Sequence, residues 1–185
     1  MADRTTEELL KEFISQALLL RIGKRAVFII QNRVSEGRFL DGSSEGASQY
    51  SEKPFVMPFG AIKKKSVMTK ILEDKYDDTH LFRAKSSGKL WVLIDKGYRW
   101  LREVSGKPST KVDLTWTGEL MRSLDVLEVD ESKFEVTIGH KGDRNEKLSE
   151  YFNQSGTGRS RRIRKYLALS EEELEGFSEL FDQED

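Results

Sequence analysis

Apolar residues recur at helical spacing through the first part of the chain. Leu9, Leu10, Phe13, Ile14, Ala17 and Leu18 share one face, and the stripe runs on through Ile22, Ala26, Ile29 and Ile30 toward Val34. Thr5 and Glu8 are spaced as a capping box ahead of it. The pattern predicts one long helix to about Ser35, bent at Gly23. Its cations Arg21, Lys24, Arg25 and Arg33 lie in the second half, where positive charge suits the helix dipole. Such a helix packs its stripe on the core and leaves the rest to solvent or to a neighbouring subunit.

The periodicity stops at Glu36. Residues 36–53 are rich in Gly, Ser and Asp, with Phe39, Leu40 and Tyr50 interspersed. They predict a long polar loop, of the kind that is usually functional or mobile. Pro54 and Pro58 bracket an apolar FVM and predict an extended arm. From Ala61 to Tyr76, Ile62, Val67, Met68, Ile71 and Leu72 alternate with Lys63, Lys64, Lys65, Lys70 and Lys75, which predicts a short amphipathic helix. That lysine row reads first as a solvated face, given Glu73, Asp74, Asp77 and Asp78 beside it. Residues 79–84 and 90–94 read as strands of a hairpin closed through KSSGK. GYRWLREV, from Gly97 to Val104, predicts a helical turn that buries Trp100 and Leu101, and residues 105–109 predict a further turn.

In the last third, Thr115 or Thr117 can cap a short helix from Gly118 to Leu124. Leu124, Val126 and Val129, then Phe134, Val136 and Ile138, alternate as half-buried strands do, with a turn at Asp130 to Lys133. A charged loop over 139–145 leads to a helix from Glu146 to about Asn153. The loop SGTGRSRR follows, then a strand-like run with Ile163, Tyr166, Leu167 and Leu169. Ser170 and Glu173 form a second capping box, opening a final helix to about Phe181. The expected fold class is α+β: a long N-terminal helix packed on a small antiparallel sheet, with short helices and a C-terminal helix. A length of 185 residues suits a single domain over 1–185.

The chain carries 31 basic and 32 acidic side chains, net −1, which argues against a general nucleic-acid binder, usually marked by a basic excess. It has no cysteine, so disulfides, thiol catalysis and cysteine-based zinc sites are excluded. The start is polar and acidic, unlike a secretory signal. The apolar runs 17–20 and 26–30 are far shorter than the roughly 20 residues a membrane span needs. His80 and His140 stand far apart with no metal-binding spacing, and both read as surface residues. The acidic runs resemble turns and helix starts, not a catalytic pair. Gly156 to Arg162 lacks the phosphate-loop pattern. No catalytic residue, metal ligand or cofactor site is expected. The densest positive cluster is Arg159, Arg161, Arg162, Arg164 and Lys165, a mobile basic loop that can meet DNA phosphates or an acidic protein surface. The balanced net charge favours the protein partner.

The order of segments from Val112 to Glu173 resembles the tail-completion (neck, virion-morphogenesis) proteins of tailed bacteriophages. Leu114, Thr115, Thr117, Gly118, Leu120 and Ser123 stand where that family shows L-T-x-T-G-x-L-x-x-S. A hairpin ending in Gly139 follows, then a short helix running into Gly156, then Arg162, Arg164, Leu167 and Leu169, then the capped helix at Ser170. Upstream, the long helix and a loop with Asp41 and Tyr50 are similar to the family's front half. Against that pattern, 36–60 is a long loop or extended arm and 61–100 an insertion containing a β-hairpin. Arg162 to Leu167 replaces the family's proline-and-aromatic run.

The resemblance implies a structural virion protein at the head–tail junction, without catalysis. It would join a portal or adaptor ring to the tail, assemble with copies of itself in a ring, and make non-specific contact with DNA in the channel. Arg159, Arg161, Arg162, Arg164, Asp41 and Tyr50 are the expected partner contacts. Charge reversal at Arg162 and Arg164 is expected to block assembly and leave the fold intact. The alternative is a nucleic-acid-binding accessory protein of phage assembly that uses Lys63 to Lys70 and Arg159 to Lys165. An enzyme is the third reading, with least in the sequence behind it.

Overall fold

The computed structural model describes residues 15–43, 45–73, 81–114, 118–156 and 161–177. Within them the elements are α1 (Gln16–Ser35), β1 (Phe55–Pro58), a 3-10 turn (Phe59–Ala61), α2 (Lys65–Glu73), β2 (Leu81–Arg83), β3 (Leu90–Ile94), α3 (Gly97–Val104), α4 (Glu119–Ser123), β4 (Leu124–Asp130), β5 (Glu135–His140), α5 (Asp143–Glu150), a π-helical turn (Tyr151–Ser155) and α6 (Glu171–Glu175). The fold class is α+β. The chain forms two compact units. One comprises Met1–Ser48 with Asp113–Asp185, and the other Gln49–Val112.

In the first unit, Ser15 is extended and its Oγ accepts from the Leu18 amide at 3.2 Å, so α1 starts at Gln16 instead of running unbroken from Thr5. The Thr5–Glu8 capping box lies outside the described residues. The α1 stripe, Leu18, Leu19, Ala26, Val27, Ile30 and Val34, is buried. The helix lies across β4 and β5, which pair antiparallel with a bulge between Val126 and Glu128. At Gly23 the helix comes close to both strands. A Cβ there would stand 2.7 Å from Cγ2 of both Val126 and Val136, so glycine permits the approach instead of bending the helix. Val27, Ile30, Val34, Leu120, Met121, Leu124 and Tyr166 form the core, flanked by Phe39, Leu148, Phe152 and Leu167. Full burial of an aliphatic such as Ile30 contributes about 1.5–3 kcal/mol.

Residues 163–169, expected as a strand, join neither sheet and run as irregular chain. Their backbone groups are satisfied outside any sheet: the Arg164 amide donates to the Phe152 carbonyl at 2.7 Å, and Asn153 Oδ1 accepts from the Tyr166 and Leu167 amides at 2.9 and 3.1 Å. The C-terminal capping box is present, with Ser170 Oγ accepting from the Glu173 amide and the Glu173 carboxylate accepting from the Ser170 amide.

The second unit is a three-stranded antiparallel sheet in the order β1-β3-β2. It is wider than the 61–100 insertion because Phe55–Pro58, expected as part of an arm, pairs with β3 and becomes an edge strand. Pro58, which has no N–H to donate, sits at the end of that edge. Val92 and Ile94 of β3 are fully buried, as are Ile71 of α2 and Leu101 of α3. Trp100 is half-buried, with the Lys96 ammonium 5.2 Å from its ring centre.

Candidate functional site

In the Asp113–Asp185 stretch, Ser123, one of the residues of the resemblance, joins a buried polar chain with His140 and Tyr166. Gly118, with φ 71°, ends the approach to α4 and serves as its N-cap, a backbone conformation that glycine takes without strain. Thr115 and Thr117, expected as caps, lie outside the described residues. The cap position itself falls on Gly118, which offers no side chain. Leu120 and Met121 turn into the core, and Ser123 closes the helix with its Oγ donating to the Leu120 carbonyl at 2.7 Å.

Ser123 Oγ also lies 2.9 Å from His140 Nδ1, and His140 Nε2 lies 2.8 Å from the Tyr166 hydroxyl. Since the Ser123 proton goes to Leu120, Ser123 accepts from Nδ1–H. Nε2 is then the acceptor, and Tyr166 donates to it. His140 is 2% exposed and Tyr166 0%. Burial pushes the His140 pKa below its ordinary 6.5, the Leu120 carbonyl opposing this, and raises the Tyr166 phenol to about 12 against hydrogen bonds to Ser149 and Asn153. The expectation of a surface His140 is therefore corrected. The alternation Val136, Ile138 continues to position 140, and the chain turns outward only afterwards. The partner of this imidazole is a neutral phenol, and its serine is engaged by a backbone carbonyl. The arrangement ties α4, β5 and the 161–170 segment together.

A second buried network was missed by sequence reasoning. Arg33, 5% exposed, lies in the apolar stripe of α1 and pairs with the Glu173 carboxylate. Its Nη2 donates to the carbonyls of Tyr166 and Ala168 at 2.6 and 2.8 Å. Its signal was its position: Arg33 falls at helical spacing from Ala26 and Ile30, where a charge requires a partner.

The expected partner contacts separate. Arg164 is 8% exposed, and its Nε donates to the Ala47 carbonyl at 2.9 Å. Arg162 Nη1 donates to the Gly46 carbonyl at 3.0 Å. The Lys165 amide donates to Ser43 Oγ at 3.1 Å, and its carbonyl accepts from the Leu40 amide at 2.8 Å. These residues clamp the 40–47 loop to their own unit, which corrects their reading as a mobile basic loop. Arg161 is exposed with φ 45°, and Asp41 is exposed in a turn beside Gly42. Arg159 lies outside the described residues, as does His80. Tyr50 belongs to the other unit, where its ring lies 4.4 Å from the buried Arg102 guanidinium and 5.4 Å from the Tyr98 ring. The 36–60 stretch is thus divided between the two units.

Among the described residues no three His, Asp or Glu side chains gather as metal ligands would, and no helix is long and apolar enough to cross a membrane. No protein-family model, curated protein or solved structure matches the chain.

Proposed function

We propose that this chain is a structural virion protein of a tailed phage, at the junction of head and tail, where it joins a portal or adaptor ring to the tail as one of the subunits of a ring. One observation carries the reading. The segments of the resemblance, α4, the β4–β5 hairpin, α5 with its π-helical turn, and the capped α6, belong to one body with α1, in the order the family shows. Its surface supports a role in assembly. Phe28 of α1 is 52% exposed, Leu127 of the β4 bulge 45% and Tyr151 56%. Subunits of a ring meet through two different surfaces each, and exposed large apolar side chains on separate elements suit such heterologous contacts.

The test is quantitative mass spectrometry of purified virions. The expected result is this chain at a small fixed ratio to the portal protein. Its absence from mature particles would overturn the reading. One observation favours the alternative, a nucleic-acid-binding accessory protein of phage assembly: positive charge is concentrated in the Gln49–Val112 unit.

A further inference from the structure

The near-neutral net charge conceals a segregation. Gln49–Val112 holds 14 Lys and Arg against 7 Asp and Glu, net +7, while the rest of the chain holds 17 against 25, net −8. The cations of this unit are spread along the surface: Lys63, Lys64, Lys65, Lys85 and Lys89 are all exposed. Its sheet also presents an apolar outer face. Phe82 stands directly across from Trp91, Val56 across from Leu93, and Pro58 across from Trp91 on the other side. Directly opposed residues share a face. Val92 and Ile94, on the inner face of β3, are 0% exposed, whereas Phe82 is 40% and Val56 39% exposed. The β2–β3 hairpin, Leu81 to Ile94, adds exposed Lys85 and Lys89 in its loop and contains no acidic residue.

An occupant of this face has to bring negative charge and flat apolar surface together. An acidic polypeptide brings the first without the second. A duplex keeps its base planes stacked inside. A single strand exposes both, phosphates for the lysines and base planes for aromatic rings. We infer that the outer face of the β1-β3-β2 sheet binds single-stranded nucleic acid without sequence preference. Phe82, with the half-buried Trp91 beside it, serves as the stacking platform, and Lys85 and Lys89 of the hairpin loop hold the backbone. This deepens the nucleic-acid reading and does not rest on the ring, which is tested by virion composition.

The experiment is fluorescence anisotropy of a labelled oligo-dT with the full chain between 50 and 200 mM salt. Binding that weakens with salt is expected, with the same-length duplex bound more weakly. Phe82→Leu keeps apolar bulk but loses the ring. It should lower affinity by roughly 5- to 150-fold, the range for loss of one stacked base, while Phe82→Tyr retains binding. Lys85→Glu with Lys89→Glu should flatten the salt slope by at least about 1.4, from about 0.7 per lost phosphate contact. Because Phe82 and the two lysines are exposed, thermal melts of these variants should match the parent. Equal binding of the duplex, an unaffected Phe82→Leu, or no binding at 50 mM salt would each overturn the inference. Displacement by poly-glutamate at matched charge would also overturn it, in favour of an acidic protein partner.

Discussion

A buried histidine with no acidic neighbour among the described residues makes the fold sensitive to pH. Among the described residues His140 faces Ser123, Tyr166 and the Leu120 carbonyl, and no carboxylate there compensates its protonated form. Its folded pKa lies below the ordinary 6.5, so the unfolded chain binds the extra proton first. Stability from this residue is fully present above pH 6.5 and is lost as the pH falls through the folded pKa, by at most about 1.4 kcal/mol per pH unit. Urea midpoints from pH 7.5 to 5 should fall for the parent and flatten for His140→Gln; parallel curves would remove the role given to His140. Arg33 offers a second test. Arg33→Ala leaves the largely buried Glu173 carboxylate and two carbonyls without their donor, and should cost about 3 kcal/mol. Glu173→Gln keeps a side-chain acceptor for the Ser170 amide, so a smaller loss in the same denaturation series would separate the ion pair from the cap. Both residues were visible in the sequence as periodicity carried one step too far for their polarity. What the sequence could not supply was the partner: Glu173 lies 140 positions from Arg33 and Tyr166 lies 26 from His140.

At the scale of elements, local pattern read well and long-range pairing did not. The alternation of Leu124, Val126, Val136 and Ile138 located the hairpin, and the Ser170–Glu173 spacing located the last cap, because each signal is complete within a few residues. Residues 163–169 carry enough apolar side chains to suggest a strand but find no sheet edge, and Asn153 takes the Tyr166 and Leu167 amides. Phe55–Pro58 looked like an arm because its partner strand is more than thirty positions away. Gly23 shows the same limit. A glycine in a helix suggests a bend, and only the fold reveals the two valines against it. Gly23→Ala should gain up to about 1 kcal/mol of helix propensity but force the helix off Val126 and Val136, where overpacking costs about 1–3 kcal/mol. A net loss of stability is expected. Pairing Gly23→Ala with Val136→Ala should recover part of it, and a stabilised single variant would show that the helix is free to lift.

For the whole molecule, two of the cations that looked like an assembly surface, Arg162 and Arg164, are engaged within the fold. Arg164 is buried on the Ala47 carbonyl, so Arg164→Glu would bury an anion against a carbonyl oxygen. The chain should then fail to fold to a melting temperature near the parent's, and loss of particles from that variant would say nothing about contacts between subunits. A useful assembly variant has to change a side chain that folding does not need. Phe28 and Tyr151 meet that condition at 52% and 56% exposure. Phe28→Glu and Tyr151→Ser should each leave stability within about 0.5 kcal/mol of the parent, as exposed substitutions usually do. If these rings seat against neighbouring subunits, the same variants should be depleted from purified virions at equal expression, because a ring contact buries the site once per subunit and the penalty recurs around the ring. Normal incorporation of both variants would exclude these two faces as subunit contacts and turn the search to the Leu127 bulge on β4, which is 45% exposed with its side chain folded over Gly139.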